Sequence, residues 1–178
     1  MQQFRDHHGL GTRERCAMQL YLWTDQRRCA VFKIGRAQIK GGQIPVTQAK
    51  TGKVMQMPLA PQLLEAIVAL PPEQTSKFYF IVSRKDTAYT KESFGNWFKE
   101  PCVAASLPHC NGHGLRKAML RRLAELGSAN GSMKALSGHD KDETLAIYTE
   151  AAGQKRLADD AVTMLVLGNA GQDTPCER

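Results

Sequence analysis

The chain has 178 residues, of which 42% are hydrophobic, and it carries a net charge of +7 at neutral pH. This length suits one domain with an ordinary core, and no run approaches the roughly 18 apolar residues that a membrane span needs. The N-terminus lacks the apolar segment of an export signal, and the five scattered cysteines form no CxxC pair. Together these features indicate reduced thiols in a cytoplasm.

Basic residues concentrate in the first third of the chain. Residues 1–58 contain ten Lys/Arg against three Asp/Glu, which gives 10 − 3 = +7, and the remainder balances at fourteen of each. Such a cationic region is the electrostatic footprint of a nucleic-acid-binding protein. On charge alone, an accidental bias on a solvated surface explains the pattern equally well.

The first half of the chain predicts helices followed by a small sheet. Residues 1–11 show little periodicity and are expected to form an irregular N-terminal lead-in. Thr12 is expected to cap a helix over residues 13–23, and a second helix is predicted over residues 27–35. Turns that contain glycine predict a three-stranded antiparallel meander, with Lys50 at the tip of its second hairpin. The three strands are predicted at residues 37–39, 44–49 and 54–59.

The second half predicts mainly helices, so the expected fold class is α+β, mainly helical, with a small three-stranded antiparallel sheet. Pro61 is expected to open a helix, Pro101 to bend or end one, and Gly127 to stop one. A buried strand is expected over residues 77–83, and the tail at 168–178 is expected to be disordered. Helices are predicted over residues 62–70, 92–99, 112–126, 132–137, 142–148 and 154–167. Three aromatic side chains at helical spacing are expected in the core rather than stacked on bases: Phe94, Trp97 and Phe98.

Candidate reactive groups concentrate between residues 113 and 148. His113 and Arg116 lie three residues apart, so on a helix they share a face, and such a cationic pair suits an anion. Tyr148 is a phenol, a poor nucleophile unless cations or a base assist it. The pattern suggests a tyrosine that attacks a phosphate held by Arg and His. Taken singly, a helix-cap histidine, a loop histidine at His139 and a half-buried tyrosine are each explained by structure alone.

The segments TDQRR (residues 24–28), QAKTGK (48–53), HGLRK (113–117) and LSGHD (136–140), followed by Tyr148, resemble the catalytic domain of the tyrosine recombinase, or phage-type integrase, family. The resemblance covers residues 12–167. It depends on the order and spacing of six positions, because an isolated HxxR occurs by accident in many chains. It implies the fold of the DNA breaking–rejoining enzymes and site-specific strand exchange in the DNA of a mobile element.

The resemblance assigns a role to each of the six positions. Arg27 and Arg116 would clamp the scissile phosphate, and Tyr148 would attack phosphorus to give a 3′-phosphotyrosyl link. Lys50 would protonate the leaving 5′ oxygen, and two histidines would assist, His113 by moving the tyrosyl proton and His139 by hydrogen bonding to the phosphate. Four further cations are predicted to contact DNA: Arg28, Lys53, Lys117 and Arg121.

The implied partner is double-stranded DNA, with no cofactor, no metal, no membrane and no small-molecule substrate. The helix over residues 154–167 resembles the family's C-terminal segment, which docks on a neighbouring protomer to build a homotetrameric synapse. Packing on its own domain is the alternative. The reaction would take place in the bacterial cytoplasm, at the nucleoid. Members of the family usually carry an N-terminal core-binding domain, which is expected to be absent here, so the chain is expected to be a catalytic-domain fragment or the product of a truncated gene.

Three departures from the family pattern predict a competent enzyme with impaired activity. Asp25 stands where the family usually has Gly, and it is expected to pair with Arg27 and compete with phosphate. Ala30 stands where the family has an acid that buttresses the site, and Asp140 adds a negative charge beside His139. Two alternatives therefore stay open beside strand exchange. One is a non-enzymatic DNA-binding remnant, and the other is a type IB topoisomerase-like nicking-closing enzyme.

Overall fold

We describe the fold from a computed structural model, which covers residues 1–26, 28–47, 52, 54–76, 78–83, 87–139 and 141–169. Within these residues eight α-helices accompany a two-stranded antiparallel sheet. The predicted class, α+β and mainly helical, is confirmed. The elements are α1 Gln2–His7, α2 Arg13–Thr24, α3 Arg28–Val31, β1 Gln43–Thr47, β2 Val54–Pro58, α4 Pro61–Val68, α5 Lys91–Ala104, α6 Gly112–Glu125, α7 Asn130–Ser137 and α8 Glu143–Asn169.

Helix α2 runs through the centre of the main core and packs against α4, α5 and α6. The side chain of Thr12 accepts a hydrogen bond from the backbone N–H of Arg15 (3.2 Å), so the predicted cap is confirmed. Tyr21 of α2 lies between two rings of α5, with centroids 5.8 Å from Phe94 and 5.0 Å from Phe98. The prediction that the α5 aromatics belong to the core is therefore confirmed, with Trp97 partly buried beside them.

A second, smaller core joins the helices of the C-terminal half. It contains Leu120 and Ala124 of α6, Met133 of α7 and Leu145 of α8. Helix α6 therefore contributes to both cores, because its other side packs against α2. This double packing fixes α6 between the two halves of the molecule.

The sheet has one strand fewer than predicted. β1 and β2 pair antiparallel, with Ile44 opposite Met57 and Val46 opposite Met55. The first predicted strand is wrong, because Arg36–Gln38 forms a 3₁₀ turn. The Gln38 side chain accepts a hydrogen bond from the N–H of Gly35 (2.8 Å), and such a local side-chain bond competes with a strand ladder. An isolated bridge from Lys40 to Gln43 is the remaining pairing before β1 in the described part of the chain.

The strand predicted over residues 77–83 is also wrong for its described part, residues 78–83. Phe80, Ile81 and Val82 are buried as expected, whereas Phe78 is exposed. The backbone, however, is held by single bonds rather than by a ladder. The N–H of Phe80 donates to the carbonyl of Ile34 (2.9 Å), and the Arg13 guanidinium donates to the carbonyl of Val82 (2.9 Å). The apolar run indicated burial, and burial does not require a strand.

Helix α5 continues through Pro101 to Ala104, so of the two predicted effects of Pro101, a bend or an end, the end is wrong. Proline removes one helical N–H, at a cost of about 3 kcal/mol in a helix interior. The buried stripe of α5 continues past that point through Pro101 and Cys102, because both side chains pack on the main core. This burial offsets the missing bond.

Helix α8 is a single element of 27 residues, whereas two short helices were predicted over 142–148 and 154–167. Gly153 lies inside it, and a glycine in a helix costs only about 1 kcal/mol, which does not break the helix. In contrast, α3 has four residues and is shorter than its prediction over 27–35. The lead-in expected to be irregular contains α1, whose Phe4 is buried in the main core.

Candidate active site

Helix α6 presents the two predicted residues of the HxxR motif. The Asn111 side chain caps the helix by accepting a hydrogen bond from the N–H of Gly114 (2.9 Å). Gly112 is buried against Tyr21, and a Cβ at this position would lie 2.4 Å from the Tyr21 ring. His113 is exposed and Arg116 is half-buried, one turn apart. The absence of a side chain at Gly112 therefore lets the start of the helix approach α2 closely.

Arg116 reaches back from α6 to the end of α2, where it meets Asp25. Its Nε donates to the Asp25 main-chain oxygen (2.7 Å) and to Oδ1 (3.1 Å), and its Nη2 donates to Oδ2 (3.3 Å). The two residues are 91 positions apart in the chain. The side chain of Asp25 is 0% exposed and that of Arg116 is 13% exposed. The ion pair is therefore almost fully removed from water.

Asp25 occupies an unusual backbone conformation for its residue type. It caps the C-terminal end of α2 with φ +46° and ψ +30°, in the left-handed region. Burial raises the pKa of its carboxyl from 3.8 to about 6, and the Arg116 guanidinium partly offsets that rise. The carboxylate thus keeps a buried charge that the surrounding protein disfavours.

The loop between α7 and α8 carries His139. Ser137 is buried, and its Oγ lies 2.7 Å from Nδ1 of the histidine ring. The ends of the loop are joined by an ion pair between Lys134 Nζ and Asp142 Oδ2 (2.8 Å). Because the bond from Ser137 fixes the rotation of the imidazole ring, the loop holds His139 in one orientation.

Tyr148 lies on α8, three residues after the fully buried Leu145. Its ring is half-buried and packs against the smaller core. Helix α8 packs on α6 over this region. The structure therefore places the predicted nucleophile on the helix that is packed against the one bearing His113 and Arg116.

Several predicted residues fall outside the described part of the structure. Arg27, Lys50 and Lys53 are among them, as is Asp140, and the side chain of Arg28 is not described although its backbone begins α3. Their roles stay predictions. Ala30, where the resemblance led us to expect an acid, is partly buried against the main core.

The other two predicted DNA contacts lie on the exposed side of α6. Lys117 and Arg121 are both exposed and are one turn apart. Arg121 Nε lies 2.9 Å from Glu125 Oε1, and this surface ion pair contributes little to stability. Both cations are therefore accessible to a large anionic partner.

Some cations of the basic first third stabilise the fold. Arg13 donates to the carbonyl of Val82, and Arg36 donates to that of Ile67 (3.3 Å). Burial lowers the pKa of Arg15. The charge excess of residues 1–58 thus overstates the number of cations that are free to meet nucleic acid.

Sequence reasoning did not anticipate three features of the site. It paired Asp25 with its neighbour Arg27, whereas the described partner of Asp25 is Arg116. It gave no role to Ser137, although a hydroxyl two residues before a candidate histidine was an available signal. It gave no reason for Gly112, because the approach of Tyr21 depends on tertiary packing that no local pattern shows.

Among the described residues, no group of three or more His, Cys, Asp or Glu side chains is arranged to hold a metal ion. Within the same residues, no helix combines the length and the apolar character that crossing a bilayer requires.

Comparison with solved structures shows the fold. A lambda integrase dimer bound to a COC′ core site matches with a TM-score of 0.66 and 20% identity, over 83% of this chain and 55% of that one. The XerA recombinase matches with a TM-score of 0.72 and 16% identity, over 89% and 62%. A lambda integrase tetramer bound to a Holliday junction matches with a TM-score of 0.61 and 21% identity, over 79% and 44%. The chain thus spans about half of the length of these relatives.

No curated protein sequence matches the chain significantly. The sequence profile of the phage integrase family matches residues 1–155, which is most of the chain. This match agrees with the resemblance in the motifs and with the helical fold. The chain belongs to the phage integrase family of tyrosine recombinases.

Proposed function

We propose that this chain is the catalytic part of an enzyme for site-specific recombination of double-stranded DNA. The proposal rests on the position of Tyr148, on a helix packed against the one that presents His113 and Arg116. A tyrosine on a helix packed against a cationic helix suits attack on a phosphodiester, because cations assist a phenol nucleophile.

In the proposed reaction, the Tyr148 oxygen forms a bond to phosphorus while the bond from phosphorus to the 5′ oxygen breaks. The products are a 3′-phosphotyrosyl link and a free 5′-hydroxyl. Because the phosphodiester is exchanged rather than hydrolysed, a second 5′-hydroxyl can reverse the step on another strand. No nucleotide cofactor is needed for resealing.

The cationic side chains take the charge of the transition state. Arg116 and Arg27 donate to the non-bridging oxygens, and loss of one such donor typically slows a reaction by roughly 100- to 1000-fold. Lys50 gives its proton to the leaving 5′ oxygen, since an alkoxide leaves poorly. His113 accepts the tyrosyl proton, and His139 donates to the phosphate. We propose that these cations make the reaction independent of metal, so the rate should be the same with EDTA as without it.

Covalent trapping tests the proposal directly. A nicked duplex made from the DNA that flanks the gene releases a short strand after cleavage, which prevents resealing and leaves the protein attached. Wild type is expected to give an adduct that survives denaturation, and Tyr148→Phe is expected to give none. Absence of an adduct with wild type would leave a DNA-binding remnant as the better description. Relaxation of supercoiled plasmid without paired sites would favour the nicking-closing enzyme.

DNA affinity provides a second measurement. We propose phosphate contacts by Arg28, Lys53, Lys117 and Arg121. Each contact to duplex DNA contributes a slope of about −0.9 to log K against log salt concentration. Lys117→Ala should lower the magnitude of the slope by about 1 and weaken binding to all sequences equally. A change confined to one sequence would indicate base recognition instead.

We propose that the far half of α8 docks on a second copy of this chain in a tetrameric synapse. Its large apolar side chains are exposed, with Leu157 at 66% and Met164 at 74%, and their separation of two turns places them on one face. The lambda integrase structure on a Holliday junction is a tetramer. The reaction would proceed at the bacterial nucleoid in the cytoplasm.

A further inference from the structure

The guanidinium of Arg116 has two edges, and the structure occupies one of them. Arginine carries five N–H donors, one on Nε and two on each terminal nitrogen. The N–H of Nε donates to both the main-chain oxygen and Oδ1 of Asp25. One N–H of Nη2 donates to Oδ2 of the same residue. Three donors remain, and two of them, one on each terminal nitrogen, lie on the edge formed by Nη1 and Nη2. Within the described residues, no hydrogen bond to this edge is found.

The remaining edge has the geometry that a phosphate needs. Two parallel N–H donors form a fork that matches two oxygens of a phosphodiester. The carboxylate itself is 0% exposed, so it lies behind the guanidinium and away from solvent. A substrate phosphate could therefore contact the terminal edge of Arg116 while Asp25 keeps the opposite edge.

The segment that holds Asp25 is itself fixed. The Thr24 hydroxyl donates to the carbonyl of Leu20 (2.6 Å), and the Gln26 side-chain amide donates to the carbonyl of Thr24 (2.8 Å). Asp25 between them keeps a left-handed backbone at φ +46°. This conformation is disfavoured for a non-glycine residue. Such strain at a buried charge indicates that the position of the carboxylate matters.

We propose that Asp25 is a positioning residue for the reaction, which anchors the Nε edge of Arg116 so that the Nη1–Nη2 edge faces the scissile phosphate. This inference rests on the proposed function of Tyr148. It assigns a constructive role to a residue that the sequence pattern marked as a competitor of phosphate. Asp25 touches no reacting atom and acts through Arg116.

An ion pair with Arg116 could also make Asp25 a competitor of the phosphate. The two roles predict opposite changes in cleavage rate when Asp25 is removed. If Asp25 competed with phosphate, its removal would raise the cleavage rate. If Asp25 positions Arg116, its removal lowers the rate of chemistry and leaves DNA affinity nearly unchanged. Arg116 of α6 is the one charged group among the described residues that interacts with the carboxylate.

The test compares Asp25→Asn with wild type in single-turnover adduct formation on the nicked duplex. Asparagine tolerates the left-handed backbone but accepts at one oxygen and presents an N–H₂ group to the other guanidinium donor. We expect the rate to fall roughly 10- to 100-fold, because a small misplacement of a catalytic group has that effect. The dissociation constant for intact DNA should change less than about twofold. An equal or faster rate in Asp25→Asn would overturn the inference.

The pH profile supplies the readout that a merely structural role would not move. The pKa of Asp25 is about 6, so the carboxylate loses its charge as the pH falls below that value. The ratio of wild-type to Asp25→Asn rates should therefore shrink toward 1 between pH 7 and pH 5. A constant ratio would contradict the inference. Because other groups titrate in both proteins, the ratio isolates the contribution of Asp25.

Two further variants separate backbone from side-chain effects. Asp25→Gly removes the carboxylate and suits φ +46°, so it should also be slow even though it relieves strain. Ser106→Gly is its matched control, since Ser106 is the other non-glycine with positive φ (+57°) among the described residues, and it should cleave at the wild-type rate. Wild type without any Tyr148 adduct would overturn the proposed function and the inference together. A wild-type adduct with undiminished variants would overturn the inference alone.

Discussion

At the scale of single residues, the site combines a buried carboxylate with a cation that we propose to bind an anionic substrate. Asp25 is 1% exposed, and its ionised form is tolerated because Arg116 lies against it. A hydrophobic or neutral residue would be cheaper to bury. Groups whose protonation is shifted by burial occur most often at functional sites. The pH dependence of the free energy of unfolding should therefore reveal the protonation of the Asp25 carboxyl.

Asp25→Asn should change how stability depends on pH. The folded pKa of about 6 lies above the ordinary value of 3.8, so the folded state holds the proton more tightly than the unfolded state does. The stabilisation from this proton is present below pH 4 and is lost as the pH rises through 6, at a cost of roughly 3 kcal/mol. The variant has no such proton. Relative to that of wild type, its free energy of unfolding, measured by urea titration, should therefore increase from pH 4 to pH 7.

Ser106→Gly is the control for that titration, because it alters a left-handed residue without adding or removing a titrating group. Its difference from wild type should stay constant with pH. A constant difference for Asp25→Asn as well would contradict the shifted pKa.

Ser137→Ala should slow cleavage without unfolding the chain. The change removes the contact between Ser137 Oγ and His139 Nδ1 (2.7 Å), so the rotation of the imidazole is held less tightly. A net hydrogen bond contributes about 1 kcal/mol, which corresponds to a rate loss of roughly fivefold to tenfold. Single-turnover adduct formation measures the effect. Ser132→Ala, at an exposed serine of the same helix, should keep the wild-type rate, and equal losses in both variants would refute the assignment.

The interactions of a residue were predictable from the sequence only where its partner lies nearby in the chain. The HxxR pair on α6 follows from helical spacing alone, and so do the cap at Thr12 and the stop at Gly127, where Ser128 N–H donates to the Leu123 carbonyl (2.9 Å). The partner of Asp25 was not predictable, because Arg116 comes 91 residues later and only packing of α6 on α2 brings it near.

At the scale of elements, one close approach decides where α6 sits. The ring of Tyr21 fills the space that a side chain at Gly112 would occupy. The His113 and Arg116 side chains follow within one turn. The position of the cationic face thus depends on the packing of a glycine against an aromatic ring of another helix.

Gly112→Ala should displace the start of α6. A Cβ there would lie 2.4 Å from the Tyr21 ring, and overpacking of this kind costs roughly 1–3 kcal/mol. Thermal unfolding should show the loss, and adduct formation should slow because the HxxR residues shift. Gly114→Ala is the matched control in the same turn, since its Cβ would meet nothing closer than Asn111 Oδ1 at 3.8 Å. Equal stability of the two variants would disprove the importance of the contact.

Element type was more predictable than element extent. Apolar stripes located α2, α4, α5 and α6, because a stripe at helical spacing reflects the buried face directly. The apolar run at residues 78–83 indicated burial but not its backbone geometry, which is set by bonds to Ile34 and Arg13. Pro101 was given too much weight as a possible helix end, since packing of the residues around it outweighs the local cost.

At the scale of the whole molecule, the exposed half of α8 is the surface that we propose for self-association. Beyond residue 154 every described side chain of this helix is exposed, including Leu157, Met164 and Leu165. Isolated apolar surface of this kind is usually covered by a partner. The core of the chain is complete without it.

Leu157→Lys combined with Met164→Lys should weaken self-association. Sedimentation of wild type should show concentration-dependent oligomers, and the double variant should sediment as a monomer because the apolar face is lost. Adduct formation on a single nicked duplex should persist, whereas strand exchange between two duplexes should fall. Lys155→Ala with Thr163→Ala, at exposed polar positions of the same helix, is the matched control. A monomeric wild type at all concentrations would refute the docking proposal.

The unbroken course of α8 has a mechanical consequence. Tyr148 and Leu165 belong to one rigid rod, and seventeen residues of helix span roughly 25 Å. A displacement of the far end is therefore transmitted along the helix to Tyr148. In the synapse that we propose, a neighbour bound to the far end would set the angle at which the phenol meets phosphorus, and one subunit would thereby time the reaction of another.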